Sequence, residues 1–188
     1  MQWHGLKLSI VCLAFVGGLA LAFGGQIVYK EFIFQQPLNK VLGGNQIVED
    51  YTVVNNSSQS VVKVKLSKEA PDLMTSYQEI AQLTNEVMGK TPYVLEIESE
   101  PNSALENAFF DSHYVIYQAQ IAGNFPEVAS KVEEASVKYG VDGKVFIDQN
   151  NIYIEMKNDG YSLNKVIPRQ NLDKPVAGQG GGQVAKGN

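Results

Sequence analysis

Residues 8–28 read LSIVCLAFVGGLALAFGGQIV, a stretch that contains no charged side chain and is almost entirely apolar. A helix that crosses a bilayer needs about 20 such residues, and a helix satisfies its own backbone hydrogen bonds in lipid. We therefore expect a transmembrane helix over 8–28 that acts as a signal anchor. Lys7 gives the segment 1–7 a positive charge with no acid, which predicts a cytoplasmic stub and a single-pass protein whose remainder lies outside the cell membrane.

The same stretch also resembles a cleaved signal peptide. Residues 20–22 read ALA, the small-residue pattern of a cleavage site, and cleavage there would release a secreted chain that begins at Phe23. The apolar run continues beyond that point to residue 28, which favours the uncleaved anchor.

Small residues recur every fourth position within this stretch, at Ala14, Gly18 and Ala22. This spacing lets two membrane helices approach closely, so these three residues are candidate helix-contact positions. Gly and Ala are also common in membrane helices for no specific reason, which is the simpler interpretation of the pattern.

Composition excludes several functional classes. The chain of 188 residues has a net charge of −5 and no basic block, so we expect no nucleic-acid partner. Its single cysteine, Cys12, lies in the apolar stretch and leaves no disulfide for the rest of the chain. Without cross-links, the remaining residues must rely on a hydrophobic core, and they are numerous enough to form one.

Beyond the apolar stretch, the pattern of apolar residues alternates between helical and strand periods. It predicts a juxtamembrane helix and linker over 29–46, one extracytoplasmic domain over 47–169, and a disordered Gly-rich tail over 170–188. We expect an α+β fold, with one antiparallel or mixed sheet and about three helices packed on one face. The predicted strands are 47–54, 61–66, 93–99, 144–148 and 152–157, and the predicted long helices are 68–88, the segment from the cap Ser99 to Ala122, and 125–139.

Three details of this prediction concern ends and turns. Pro71 and Asp72 suit the first turn of the helix over 68–88. Asn150 and Asn151 suit a tight hairpin turn, because Asn accepts a positive φ. The segment 161–168 has enough apolar residues to pack along the domain, and we do not assign it to a strand.

No catalytic or metal-binding group emerges from the sequence. Asp111, Ser112 and His113 are adjacent in a predicted helix, where neighbouring side chains point about 100° apart and cannot form a nucleophile–base pair. One histidine and no cysteine outside the N-terminal stretch cannot supply a zinc site of His and Cys ligands. We therefore expect no enzyme activity, no cofactor and no metal.

The remaining feature is an aromatic-rich helix. Its apolar surface is wider than an ordinary stripe because of Phe110, Tyr114, Tyr117 and Ile121. The aromatic residues Phe110, Tyr114 and Tyr117 either pack in the core or form a contact surface for a partner or ligand. The expected function is a membrane-anchored, non-enzymatic domain for protein–protein interaction or assembly at the cell envelope, with the bilayer and another envelope protein or a second copy as partners. The alternative is a secreted or anchored domain that binds a small or lipidic ligand between sheet and helices.

Overall fold

The computed structural model describes residues 12, 14–19, 36–55 and 59–169. Contacts divide the chain into two compact units, with the boundary between Glu98 and Ser99. Each unit contains a three-stranded sheet of its own. The single sheet that the sequence pattern predicted is therefore wrong, and the α+β chain has two separate sheets.

Over its described residues from 36 to 98, the first unit is a mixed sheet with two helices. Strand β2 pairs antiparallel with β1 and parallel with β3, because the long helix between β2 and β3 returns the chain to the same end of the sheet. The core of this unit includes Val62 and Val64 from β2 and Ile80 from the long helix, all fully buried. Its elements are α1 (Gln36–Leu42), β1 (Val48–Asn55), β2 (Ser60–Leu66), α2 (Leu73–Met88) and β3 (Tyr93–Ile97).

The opposite face of this sheet is charged, as the alternation in the sequence predicts. Lys63 on β2 lies opposite Glu96 on β3, with Nζ and Oε2 3.9 Å apart. Lys65 pairs with Glu49 of β1 at 3.4 Å. Such exposed pairs contribute at most about 1 kcal/mol each, so this face is an ordinary solvated surface.

The second unit is an antiparallel meander with two helices. Strand β5 lies between β4 and β6 and pairs with both. Strand β6 covers the segment that the sequence analysis left unassigned, because the order of apolar and polar residues in YSLNKVIP is irregular. The elements are α3 (Ser103–Ala122), α4 (Phe125–Tyr139), β4 (Asp142–Ile147), β5 (Asn151–Asn158) and β6 (Tyr161–Pro168).

Capping side chains set two helix starts later than predicted. Helix α2 begins at Leu73 because Asp72 is its N-cap: the Asp72 carboxylate accepts the Thr75 backbone N–H at 2.9 Å. Helix α3 is capped by Asn102, which accepts the Leu105 N–H at 3.0 Å. Ser99 is therefore not the cap of α3. The bounds of α4 agree with the prediction.

The hairpin turns also differ from the prediction. Neither Asn150 nor Asn151 has a positive φ; instead the Asp148 carboxylate accepts both of their backbone N–H groups at 2.7 Å. The positive φ angles lie at Asp159 (48°) and Gly160 (83°), between β5 and β6. An Asp-Gly pair with two positive φ angles is the usual tight turn between antiparallel strands.

The predicted membrane anchor is not supported and is corrected here. In the part of the chain that the structure describes, no helix is both long enough and apolar enough to cross a membrane. The signal anchor, the single-pass topology and the location in the cell membrane were all inferred from the apolar run at 8–28, so this finding overturns them together. An apolar composition does not by itself ensure one long helix, because helix length also depends on residue propensities and packing that composition does not report.

Other predictions about the two ends of the chain lie outside the described residues. They include the stub 1–7, the cleavage site at 20–22, residues 29–35 of the juxtamembrane helix and linker, and the tail 170–188. Of the apolar stretch 8–28, only residues 12 and 14–19 are described.

Candidate interaction surface

Helix α3 is apolar on two opposite faces. One face is buried in the core of the second unit, through side chains such as Leu105, Ser112 and Ile116. At 100° per residue, Ser112 lies at the centre of that face, and the opposite side of the helix carries the second apolar set. Its members, which we name the aromatic stripe, are Phe110, Tyr114, Tyr117 and Ile121, exposed by 61%, 69%, 57% and 76% respectively.

This exposure is unusual for the solvent side of a helix. A surface helix normally carries polar and charged residues opposite its buried face. Core packing is one interpretation of Phe110, Tyr114 and Tyr117 from the sequence, but in the described chain none of the three is buried. They therefore form a surface, and their role as a partner or ligand contact stays a prediction.

Neighbouring rings hold the stripe side chains against one another. The Phe110 and Tyr114 ring centroids are 6.2 Å apart in an edge-to-face arrangement. His113 lies beside them, with its ring centroid 5.0 Å from Phe110 and 3.8 Å from Tyr114. Aromatic contacts at these distances are favourable and limit rotamer freedom, so the stripe loses less entropy on binding than isolated side chains would.

The carboxylate of Asp111, next to the stripe, is already paired. Asp111 accepts hydrogen bonds from Lys138 Nζ at 2.6 Å and from the Tyr139 hydroxyl at 2.9 Å, both on α4. These two hydrogen bonds, of which the one from Lys138 has the larger effect, hold the pKa of the Asp111 carboxyl below its ordinary value. The hydrogen bond to Asp111 is also the main cause that raises the pKa of Lys138. Helix α3 itself contains no Lys or Arg.

The rest of the unit fixes α3 in place. Its buried face packs against α4 and the sheet through a core that includes Val132 of α4 and Ile152 and Ile154 of β5. Near its C-terminal end, the Gln120 side-chain amide donates to the Pro168 carbonyl at 3.2 Å, which ties the helix to the end of β6. A surface on such a helix is presented with a defined geometry.

The residues of the Asp-Ser-His sequence do not act together. The Ser112 hydroxyl is fully buried and donates to the Ala108 and Phe109 carbonyls at 3.0 and 3.1 Å. Asp111 is bound to α4, and His113 Nδ1 contacts the Phe110 carbonyl. Among the described residues, no three His, Cys, Asp or Glu side chains converge to hold a metal ion.

The other predicted contact positions are only partly described. Ala14 and Gly18 lie within the described segment 14–19 and are exposed, whereas Ala22 lies outside the described residues. Their role as helix-contact positions is untested and stays a prediction.

Ile121 is the stripe member that the candidate contact set omitted. It continues the spacing of the other three, since 110, 114, 117 and 121 are separated by four, three and four residues. That regular spacing was the available signal. The sequence places Ile121 on the wide apolar surface, but the contact set was restricted to the aromatic residues and so left this aliphatic side chain out.

Comparisons with known proteins add no assignment. No family model matches the chain. A search of curated proteins gives no significant match either.

Proposed function

We propose that this chain is a non-enzymatic interaction protein whose second unit binds another polypeptide through the aromatic stripe. The observation that carries the proposal is the location of four large, exposed apolar side chains directly opposite the buried face of α3. Isolated exposed apolar residues are common, but a contiguous row of them is typical of a contact site. Tyr and Phe are also among the residues enriched at protein interfaces.

The chemistry around the stripe favours a protein partner over a lipid or nucleic-acid surface. A helix that lies on an anionic membrane usually has Lys and Arg beside its apolar face, and α3 has neither. Binding to nucleic acid requires a basic surface, whereas this chain has a net charge of −5. Uncharged polar neighbours such as Gln118 suit the rim of a protein interface.

The packing within the unit also favours a surface over an enclosed ligand site. The space between α3 and the sheet is occupied by fully buried side chains from both layers, among them Leu105, Ile116, Ile152 and Ile154. A small or lipidic ligand held between these layers would have to displace this core. The non-enzymatic part of the proposal is supported by the separate hydrogen bonds of Asp111 and Ser112.

Site-specific photo-cross-linking tests the proposal. The full-length protein carries a benzophenone amino acid in place of Tyr117 and is irradiated in the cells that make it. Tyr161 is the matched control position, because it is also a tyrosine, is 50% exposed, and lies on β6 away from the stripe. We expect a discrete cross-linked product from position 117 and none from position 161.

A second variant checks that the product depends on the stripe. Phe110→Ser removes one ring at the far end of the row, so it should weaken the cross-link from position 117. The absence of a product at position 117, or equal products at both positions, would contradict the proposal.

A further inference from the structure

We infer that the partner of the aromatic stripe is a second copy of this chain, packed antiparallel about a two-fold axis between Tyr114 and Tyr117. This inference rests on the proposed function and adds the identity of the partner. Most soluble homo-oligomers are symmetric, and a two-fold contact requires one surface that is complementary to itself. The stripe satisfies this requirement in its spacing, its charge and its area.

The spacing reads the same in both directions along α3. Intervals of four, three and four residues separate the stripe members, which is also the spacing of an antiparallel helix pair with coiled-coil packing. Reversing one helix about the midpoint places Phe110 opposite Ile121 of the second copy and Tyr114 opposite Tyr117 of the second copy. Each ring then faces another side chain of the stripe.

The charges near the stripe do not oppose such a pair. The same reversal places Asp111 opposite Gln120 of the second copy, and His113 opposite Gln118 of the second copy. No two carboxylates face each other at these flanking positions, and Asp111 already forms an ion pair with Lys138. A glutamine amide can donate to a carboxylate or an imidazole, so the flanks are compatible with a polar rim.

The exposed area is sufficient for a dimer. Side chains of this size bury roughly 150–250 Å² each, so the exposed fractions of the four stripe residues give about 500 Å² per copy. Complete coverage of these side chains in two copies would bury about 1,000 Å², which is the lower limit for a specific interface. The flanking polar residues would add to this value.

Sedimentation of the full-length protein tests whether a dimer forms through the stripe. We expect the wild-type chain to be dimeric in the micromolar range, and Tyr114→Lys to raise the dissociation constant by about thirty-fold, as for a central interface residue. Tyr161→Lys is the control for an added charge at an exposed tyrosine away from the stripe, and it should sediment like the wild type. Circular dichroism establishes that each variant is folded.

Mixing two charged variants tests the antiparallel arrangement. In the inferred dimer, Lys at position 114 of one copy faces position 117 of the other, so Tyr114→Lys should pair preferentially with Tyr117→Glu. Tyr114→Lys mixed with Tyr114→Glu is the matched control, because positions 114 of the two copies do not face each other. Native mass spectrometry of each equimolar mixture measures the share of mixed dimer. We expect an excess over random pairing in the first mixture and a clearly smaller excess in the control.

Several outcomes would overturn the inference. They are a monomeric wild type, stripe variants that dimerise as tightly as the wild type, or equal shares of mixed dimer in the two mixtures. If the wild type is monomeric while position 117 cross-links to a different protein, the second-copy inference fails and the proposed function stands. A cross-link from position 117 to residues 170–188 of the same chain would overturn both.

Discussion

Gly143 on β4 is the position where the packing of the second unit leaves least room for a side chain. A Cβ atom built there would lie 2.1 Å from the Ser136 hydroxyl oxygen and 3.2 Å from a methyl carbon of Val132, both on α4. The hydroxyl cannot rotate away freely, since it donates to the Val132 carbonyl at 2.6 Å and is buried. Gly143→Ala therefore forces α4 and β4 apart by about 1 Å or removes that hydrogen bond.

The expected cost follows from these contacts. Overpacking a tight core costs about 1–3 kcal/mol, and the lower entropy of unfolded Ala relative to Gly offsets roughly 0.4–1 kcal/mol. We expect Gly143→Ala to lower the free energy of unfolding by about 1–2 kcal/mol. With a urea dependence of about 1–3 kcal/mol per molar, the unfolding midpoint of the second unit falls by roughly 1 M. Circular dichroism during urea titration of the full-length protein measures the shift.

Two further variants isolate the cause. In Gly44→Ala the nearest atom to the new methyl group is the Lys40 carbonyl oxygen at 3.8 Å, an ordinary contact, so this control should change stability little. Ser136→Ala removes the closest atom, and combined with Gly143→Ala it should recover about 1 kcal/mol. The reasoning is refuted if Gly143→Ala is as stable as the wild type, or if the double variant shows no recovery.

Three further predictions concern stability. Asp72→Ala removes the cap of α2 and should cost about 1 kcal/mol. The hydrogen bond from the Thr75 N–H lowers the pKa of Asp72 below its ordinary value of 3.8, so the stabilisation by the cap is present above pH 3.8 and is lost as the pH falls through the folded-state pKa. Asp72→Asn should keep a cap whose contribution does not depend on pH. Unfolding measured at several pH values tests both expectations. Thr84→Val should raise the free energy of unfolding by about 1 kcal/mol in urea titrations, because the buried Thr84 hydroxyl has no hydrogen-bond partner among the described residues. Tyr117→Ser should change the free energy of unfolding of the dissociated chain by less than about 1 kcal/mol, because Tyr117 is exposed. Ile116→Ala should lower this free energy by about 2–5 kcal/mol, because Ile116 is fully buried. Similar losses in thermal unfolding of the two variants would show that the stripe is part of the core.

Local patterns in the sequence identified most elements because short-range physics determines them. The alternation in β2 and the helical spacing of apolar residues in α4 each follow from burying one face of the element. Both elements therefore lie where the pattern predicts them. Strand pairing requires long-range information. The sequence did not show that β3 joins β2 in parallel whereas β4 and β6 both pair with β5, so one sheet was expected where two exist.

The candidate surface was predictable in part. The spacing of Phe110, Tyr114 and Tyr117 identified an excess of apolar residues on one helix. Whether that excess would be covered depends on which face of α3 packs against the sheet. The buried face carries the small residues Ala108 and Ser112, whose size allows the neighbouring layers to approach α3 closely. The prediction of a membrane anchor failed because it used the composition of residues 8–28 alone.

The central claim is that another polypeptide covers the aromatic stripe, and oxidative footprinting tests it most directly. The experiment compares the oxidation rates of Tyr114 and Tyr117 on the stripe with that of Tyr161, in cells that contain the intact protein. In the single chain, their exposed fractions of 69%, 57% and 50% predict that Tyr161 is oxidised most slowly. If another polypeptide covers the stripe, Tyr114 and Tyr117 are oxidised more slowly than Tyr161, and this order reverses when the protein is purified and diluted. Oxidation in the single-chain order within cells would contradict the account.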